Sequence, residues 1–376
     1  MDSLITLKAT WALWAVLFGS AAFGLWMERT AWGARLSGAA FTLAIAFLLS
    51  NFGIIPSAAP VYTTVWLYLV PLAIPLLLFN TDVRRIPRDA GFILVAFGIG
   101  VVGTILGTVV AFYLVPLGKN AWQLAAVFSA TYIGGPTDYT ATAQAVGLRT
   151  RDLLVGGRAA IDFIMAIYLL ILFALPVLWN LFRGGTDRGS ATEATGSASI
   201  HLPSMAFALA LSAVICAVGF FIETQFGWKG FAILIIAVLT VALAAALPRH
   251  MAMLQSTNEM GMLLMLVFFA TIGASGNIGA VFKNAPVLLL FATIILVVHL
   301  AVLLVAWNLL GKKFNVNLSL TQIIIGSNAG VGDASMVAAL AAARRWYQYV
   351  PAGILCAALG HVSATYIGVS LGKMLR

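Results

Sequence analysis

The sequence predicts an all-α polytopic membrane protein, and both its composition and its apolar segments indicate that fold class. The chain is 62% hydrophobic and only 9% charged, whereas soluble domains carry about 25% charged residues. Its mean hydropathy is +1.03. The formal net charge is +9, but the Arg and Lys residues lie mostly in short loops, as expected of cytoplasmic anchors. We therefore expect a multi-pass protein of the plasma or inner membrane, in contact with the lipid bilayer and without a nucleic-acid partner.

Twelve apolar segments approach the roughly 20 residues that a helix needs to cross the hydrocarbon core. They lie near 9–26, 34–51, 61–80, 91–116, 121–147, 152–182, 204–223, 229–247, 258–277, 285–310, 318–343 and 347–372. The stretch 183–203 is rich in Gly, Ser and Thr and predicts a flexible polar linker. The sequence thus predicts a first transmembrane repeat at 1–182 and a second at 204–376.

The two halves show a weak internal correspondence. A shift of about 197 positions places each of the first six segments on one of the last six. "TYIGGPTD" (Thr131–Asp138) then falls on "NAGVGDAS" (Asn328–Ser335). Six full spans per half would make the repeats parallel, whereas a re-entrant fifth segment would make them inverted. We favour two pseudo-symmetric, inverted repeats, each with a broken, Gly-rich fifth segment.

The two glycine-rich breaks form the predicted functional site. Non-helical backbone at membrane depth is tolerated only where it faces protein or water, and matched breaks in two repeats indicate a transporter's binding site. The predicted substrate-binding residues are the glycines and neutral donors of the breaks: Thr131, Gly134, Gly135, Thr137, Ser327, Asn328, Gly330, Gly332 and Ser335. Asp138 and Asp333 are the predicted ion-coupling residues, because a charge at the bilayer centre costs roughly 3 kcal/mol. The alternative is that both aspartates only cap half-helices.

Other polar residues within the apolar segments have structural interpretations. Arg158 and Asp162 are four positions apart, a spacing that favours an ion pair on one helix face. His299 and His361 are lone histidines in apolar segments, and we expect hydrogen-bonded packing roles for them rather than a proton relay. The two cysteines offer no metal-binding motif.

A rival interpretation rests on "GVGD" (Gly330–Asp333), which matches the GxGD signature of intramembrane aspartyl proteases. Such an enzyme would use Asp138 and Asp333 as two aspartates that share a proton. However, the preceding apolar segment contains no aspartate, and the later Pro351-Ala352 pair lacks the leucine of the protease pattern. We therefore expect that the protein is not an enzyme. A channel with the same breaks is a further alternative.

Four motifs lie between residues 131 and 372. They are "TYIGG" (Thr131–Gly135), "IGAS" (Ile272–Ser275), "NAGVG" (Asn328–Gly332) and the closing "LGHVSATYIGVSLG" (Leu359–Gly372). This combination resembles the membrane family called domain of unknown function 819 (DUF819). One departure is Val331-Gly332-Asp333, where that family has Gly-Gly-Pro, so the resemblance does not extend to this aspartate. The paired breaks are also similar to those of bile-acid/sodium symporter and sodium/proton antiporter carriers, which implies a related fold by analogy.

Together these features favour a secondary active transporter of a small polar organic solute, coupled to Na⁺ or H⁺ at the crossed broken helices. The sequence contains no G-x-x-x-x-G-K-[ST] nucleotide motif, which argues against ATP as the energy source within this chain. We expect a small-molecule solute as partner, no metal site, and no cofactor besides the coupling ion. The oligomeric state, including a homodimer, is left open.

Overall fold

A computed structural model describes residues 3–30, 33–82, 84, 86–183, 202–254, 256–284, 286–313 and 318–376. Its α-helices in chain order are α1 Thr10–Glu28, α2 Gly33–Leu36, α3 Gly38–Asn51, α4 Pro60–Thr64, α5 Val70–Leu78, α6 Ile86–Leu114, α7 Ala121–Gly134, α8 Thr137–Ala145, α9 Arg151–Arg183, α10 Leu202–Phe226, α11 Ala232–Ala246, α12 Pro248–Met251, α13 Thr257–Ser275, α14 Ile278–Asn284, α15 Pro286–Lys313, α16 Leu320–Val331, α17 Ala334–Ala343 and α18 Val350–Met374. A π-helical turn, Val65–Leu69, joins α4 to α5.

Within the described ranges, eight helical stretches are long and apolar enough to cross a membrane. They are Thr10–Glu28, Pro60–Leu78, Ile86–Leu114, Arg151–Leu181, Leu202–Phe226, Thr257–Ser275, Pro286–Leu310 and Tyr347–Met374. Each coincides with one of the predicted apolar segments. The prediction of an all-α polytopic membrane protein is therefore confirmed.

Two predicted segments, near 34–51 and 229–247, form the shorter helices α3 and α11. Helix α3 begins only after Ser37, because that residue has a φ of 87° and its hydroxyl accepts a hydrogen bond from the N–H of Ala39. Helix α11 ends shortly before Pro248, since proline disfavours helical backbone at the preceding residue. Local backbone chemistry thus shortens both helices below the length of a full span.

The predicted linker at 183–203 lies almost wholly outside the described residues. Arg183 is the last residue of α9 and Leu202 is the first residue of α10, and residues 184–201 are not described. The flexible linker therefore stays a prediction.

The chain divides into two compact units, and neither coincides with a half of the sequence. The first unit comprises Met1–Arg85, Ala166–Gly276 and Ala338–Pro351, and the second comprises Ile86–Met165, Asn277–Val337 and Ala352–Arg376. Each unit therefore combines segments from both predicted repeats.

In the first unit, α13 packs against α1, α3 and α5. Phe268 of α13 lies edge-on to Trp66, with ring centroids 4.6 Å apart. At the end of the same helix, the Asn51 side chain donates a hydrogen bond to the Gly276 carbonyl at 2.8 Å. Aromatic packing and polar end contacts together hold α13 inside this unit.

In the second unit, α6 packs against α7, α15 and α16. A buried cluster joins α6, α15 and the start of α16: Ala96, Leu303, Leu318 and Ile323. Another joins α7 to α18 through Ala130, Ile133 and Ala364. Small residues in these clusters let the helix backbones approach closely. The long helices thereby hold α7 and α16, whose ends form the candidate site.

Candidate functional site

The first helix junction separates α7, which ends at Gly134, from α8, which begins at Thr137. Gly135 has a φ of 97°, a conformation that residues with a side chain rarely adopt. Pro136 has no N–H, so the Tyr132 carbonyl cannot receive the usual helical hydrogen bond from it. The backbone of Gly135 and the missing N–H of Pro136 therefore account for the end of α7.

The second junction separates α16, which ends at Val331, from α17, which begins at Ala334. The N–H of Gly332 donates to the Asn328 carbonyl at 2.9 Å and closes the last turn of α16. Beyond Gly332 the backbone leaves the helix, with φ −91° and ψ −151°. This helix junction lies within the predicted Gly-rich segment.

The two junctions are in direct contact within the second unit. A methyl group placed on Gly135 would lie 2.5 Å from the Gly332 carbonyl oxygen and 3.0 Å from the Asp333 Cβ. A methyl group on Gly330 would lie 3.5 Å from the Tyr132 carbonyl oxygen. The structure therefore brings together two segments that lie far apart in the sequence.

Asp138 is buried beside the first junction and is bound by side chains of α18. Its Oδ2 lies 3.0 Å from Nδ1 of His361, and only 3% of its side chain is exposed. Its Oδ1 accepts a hydrogen bond from the Thr365 hydroxyl at 3.5 Å, and that hydroxyl also lies 3.1 Å from the Thr142 hydroxyl. His361 and Thr365 are four residues apart, so they share one face of α18.

Asp333 makes a different contact at the second junction. Its Oδ1 accepts a hydrogen bond from the backbone N–H of Met336, three residues later, at 2.9 Å. This is the contact of a helix cap, as the alternative interpretation of the aspartates proposed. An ion-coupling role for Asp333 stays a prediction.

A buried histidine links both junctions to α6 and α15. Nδ1 of His299 lies 2.9 Å from the Thr104 hydroxyl, and its Nε2 lies 3.0 Å from the Ser327 hydroxyl. Thr104 also donates to the Tyr132 carbonyl at 3.3 Å, which is the carbonyl that Pro136 leaves without its helical donor. His299 is therefore hydrogen-bonded inside the protein, as the sequence led us to expect.

The hydroxyls predicted to bind solute are not equally available. The Thr131 hydroxyl donates to the Val127 carbonyl of its own helix at 2.7 Å, and that of Ser327 contacts His299. Thr137 is exposed and Ser335 is buried. The Thr131 and Ser327 hydroxyls already have protein partners in this conformation.

Asn328 differs from these hydroxyls because its side chain is fully buried and still has polar atoms to offer. Among the described residues, neither its Nδ2 nor its Oδ1 has a hydrogen-bond partner. A methyl group on Gly332 would lie 3.0 Å from Oδ1, so the amide faces the second junction. Unpartnered buried amides are rare, and such a group needs a water, an ion or a ligand.

Arg158 and Asp162 form the ion pair that their spacing predicted. Nε of Arg158 lies 3.0 Å from both carboxylate oxygens of Asp162. Their spacing does not predict a further contact, in which Nη1 of Arg158 donates to the Pro136 carbonyl at 3.5 Å. The guanidinium therefore also reaches the first junction.

Three aspartates lie close to Arg158 or His361, and we call them the carboxylate cluster: Asp138, Asp162 and Asp333. Arg158 and His361 both interact electrostatically with Asp333. Three carboxylates thus face one permanent cation and one histidine. Among the described residues, no group of three His, Cys, Asp or Glu side chains is placed to hold a metal ion.

The sequence interpretation missed His361, Thr365 and Thr104 as members of the site. One signal was present: His361 and Asp138 are both ionisable residues within apolar segments, and such residues tend to pair. Thr104 and Thr365 carried no such signal, because threonines also satisfy their own helix backbone.

The comparisons with known proteins cover almost the whole chain. The family model described as "Protein of unknown function (DUF819)" matches residues 15–376. "Uncharacterized membrane protein YjcL" of Bacillus subtilis (strain 168) is 34% identical over 398 residues, a match that covers 99% of this chain and 98% of that protein. With the eight candidate spans, these matches show that the chain is a multi-pass integral membrane protein that belongs to the DUF819 family.

Proposed function

We propose that this protein is a secondary active transporter of a small polar organic solute, driven by Na⁺ or H⁺. The observation that carries the proposal is the contact between the α7/α8 and α16/α17 junctions inside one compact unit. A helix junction frees backbone polar groups that lipid cannot satisfy but that a polar solute or an ion can. The binding site would lie at this contact.

The order of the helices supports an internal repeat. Helices α6 to α9 are followed, about 200 positions later, by α15 to α18 in the same order. We infer two pseudo-symmetric, inverted repeats, in which α7/α8 and α16/α17 are the two discontinuous helices. Carriers of the bile-acid/sodium symporter and sodium/proton antiporter types are similar in this respect, which is an analogy at the level of fold.

The amide of Asn328 supports a polar solute. It offers two donors and one acceptor in a fully buried place. A solute group that both donates and accepts, such as a hydroxyl or an amide, would satisfy it better than a carboxylate, which only accepts.

The carboxylate cluster supports a cation as the coupling ion. Arg158 can neutralise one of the three carboxylates. Two negative charges remain while His361 is neutral, and uncompensated charge is expensive inside a membrane. A proton or Na⁺ that arrives with the solute would remove part of that cost.

The protease alternative is less well supported by the contacts. An aspartyl protease requires two aspartates that share a proton. Here Asp138 is bound by His361 and Thr365, while Asp333 is bound by the Met336 N–H. Among the described residues no hydrogen bond joins Asp138 to Asp333.

The test is a melting experiment on the purified protein in detergent. The melting temperature would be measured in NaCl, KCl and choline chloride, between about pH 5 and 8. Each condition would be combined with a panel of amino acids, amides, polyols and short carboxylic acids. A solute that binds only the folded protein stabilises it by RT ln(1 + [L]/Kd), about 2.7 kcal/mol at a hundred times Kd. We expect a solute whose effect depends on Na⁺ or on pH, because coupled ligands strengthen each other's binding reciprocally.

A matched pair of variants locates the solute site. Asn328→Leu should lose the solute effect, whereas Asn51→Leu, the same change in the first unit, should keep it. In proteoliposomes, the solute should then accumulate against its gradient when an ion gradient is imposed. Uptake that does not saturate and never exceeds the external solute concentration would instead indicate a channel. Cleavage of a membrane peptide that requires both Asp138 and Asp333 would indicate a protease.

A further inference from the structure

We propose that the Asp138–His361 pair is the site that binds the coupling ion, and that this ion is a proton. The inference rests on the proposed transport function and narrows its coupling ion to one. Two observations carry it: the 3.0 Å contact between Nδ1 of His361 and Oδ2 of Asp138, and the burial of the carboxylate.

The donors around Asp138 favour a proton over Na⁺. An ionised carboxylate can only accept, so a nearby ring N–H of His361 donates to Oδ2, while the Thr365 hydroxyl donates to Oδ1. Both carboxylate oxygens therefore face polarised hydrogens. Na⁺ needs oxygen lone pairs directed at it, and it would have to displace both donors. A proton adds to this arrangement without displacing either one.

The proton-binding step changes the charge of the pair from −1 to 0. A hydronium ion transfers its proton to the His361 ring: one O–H bond breaks, one ring N–H bond forms and a water molecule leaves. The resulting imidazolium still donates to Asp138. The side chain of His361 is 22% exposed and that of Asp138 only 3%, so the histidine is the member of the pair that water can reach.

Most other titratable groups around the pair have their own partners, although the buried Tyr132 hydroxyl has none among the described residues. Helix α9 presents the Arg158–Asp162 ion pair, and the start of α17 presents Asp333, whose Oδ1 is held by a backbone N–H. Tyr139 of α8 donates to the Leu154 carbonyl at 2.9 Å. Tyr132 of α7 is buried, and the buried His299 of α15 is bound to Thr104 and Ser327. Asp138 and His361 are therefore the pair whose charge can change with the least disruption.

The pair is also placed to affect the junctions. A methyl group on Gly134, the last residue of α7, would collide with Oδ2 of Asp138. A methyl group on Gly360, the neighbour of His361, would collide with the Ile133 carbonyl. The pair thus links α18 to both helices of the first junction. A change in the charge of the pair would stabilise one conformation of that junction more than another, and protonation would thereby shift the balance between them.

The test is hydrogen–deuterium exchange of residues 131–146 in the full-length protein, with pH as the only ligand varied. Exchange rates would be corrected for their intrinsic pH dependence and measured between about pH 5 and 8, in NaCl and in KCl. We expect severalfold faster or slower exchange at one end of this range in the wild type, and no difference between the two salts. Asp138→Asn and His361→Gln should each remove the pH dependence, and His250→Gln, a control in the first unit, should keep it.

A milder variant, Thr365→Val, tests the proposal if Asp138→Asn and His361→Gln fail to fold. It keeps both Asp138 and His361 and removes one donor to the carboxylate. Because that donor offsets part of the carboxylate's negative charge, its loss should strengthen the attraction between Asp138 and the imidazolium, and the pH midpoint of the exchange response should move to higher pH. An unmoved midpoint, or a response to pH that survives in both Asp138→Asn and His361→Gln, would overturn the proposal. So would a wild type that responds to Na⁺ and not to pH.

The experiments distinguish failure of the proton-site proposal from failure of the transport proposal. A pH response that depends on the pair, in a protein that transports no solute, would retain the proton site and reject the transporter. Solute uptake driven by Na⁺ and unaffected by His361→Gln would retain the transporter and reject the proton site.

Discussion

The two helix junctions of the second unit look alike in sequence and differ in what their aspartates do. Each has a glycine between its helices and an aspartate near the start of the next helix. Yet Asp138 is held by side chains of α18, whereas Asp333 is held by the backbone of α17 itself. A carboxylate that caps its own helix is occupied by that helix, while one bound to a histidine belongs to a pair whose charge changes when the histidine gains or loses a proton. The partner of the aspartate, rather than its place in the break, separates the two roles.

The junctions also differ in their neutral groups. At the first, the Tyr132 carbonyl loses its helical donor to Pro136, and Thr104 replaces that donor. At the second, the Gly332 N–H satisfies the Asn328 carbonyl, and the Asn328 side chain is left without a partner. We infer that the first junction is the ion side of the site and the second is the solute side.

The largest effect is expected at the contact between the junctions. Gly135→Ala would strain a residue with a φ of 97° and place a methyl group 2.5 Å from the Gly332 carbonyl oxygen. Strain and overpacking together should lower the stability of the fold by about 3 kcal/mol or more. The measurement is the melting temperature in detergent.

Gly118→Ala is the matched control, because Gly118 also has a positive φ of 69° but nothing within 4 Å of a new methyl group. It should cost only about 1 kcal/mol of strain. Equal losses of stability in Gly135→Ala and Gly118→Ala would mean that the close approach of the two junctions adds no cost at Gly135.

A smaller effect is expected from the histidine that ties the junctions together. His299→Leu removes its hydrogen bonds to Thr104 and Ser327 and should lower stability by about 2 kcal/mol. Combined with Ser327→Ala, the loss should be smaller than the sum of the two single losses, by about 1 kcal/mol, since the residues are in contact. Chemical or thermal unfolding of the three variants measures this coupling.

Thr293→Val provides the control for that cycle. Thr293 lies on the same helix, and its hydroxyl donates to the Leu289 carbonyl of its own helix. Its effect should add to that of His299→Leu without coupling. Coupling of similar size for both pairs would show that substitutions anywhere on α15 are coupled, and that the hydrogen bond from His299 to Ser327 is not the source of the coupling energy.

Local features of the sequence predicted much of this structure. The apolar segments predicted the spans because lipid requires long apolar helices. The end of α7 was visible because a Gly-Gly-Pro sequence disfavours helical backbone. The Arg158–Asp162 pair was visible because its members are four residues apart on one helix.

The long-range contacts could not be predicted in the same way. His361 and Asp138 are 223 positions apart, and Thr104 and His299 are 195 apart. Their pairing depends on which helices pack together in the second unit, and hydropathy does not encode that choice. For the same reason the sequence assigned one role to both aspartates, because it shows their positions and not their partners.

The aspartate of the second junction should be largely replaceable. Asp333→Ala removes the acceptor for the Met336 N–H and should cost about 1 kcal/mol of stability, whereas Asp333→Asn keeps a good cap and should cost a few tenths. Both variants should retain the pH-dependent exchange of residues 131–146. If Asp333→Asn abolished that response, or abolished an effect of Na⁺ on melting, the two aspartates would share the ion-coupling role and the contrast between the junctions would fail.

The smallest effect on stability is expected at Asn328, with a sign opposite to that of the other variants. Asn328→Leu removes a buried amide that has no protein partner, so the solute-free protein should melt at the same temperature or slightly higher. Asn51→Leu removes an amide that donates to the Phe47 and Gly276 carbonyls at 2.8 Å, and it should lower stability by about 1 to 2 kcal/mol. The two melting temperatures, measured side by side without solute, give the comparison. A loss at Asn328 as large as that at Asn51 would mean that a structural water already satisfies the amide, and the second junction would then lose its assignment as the solute side.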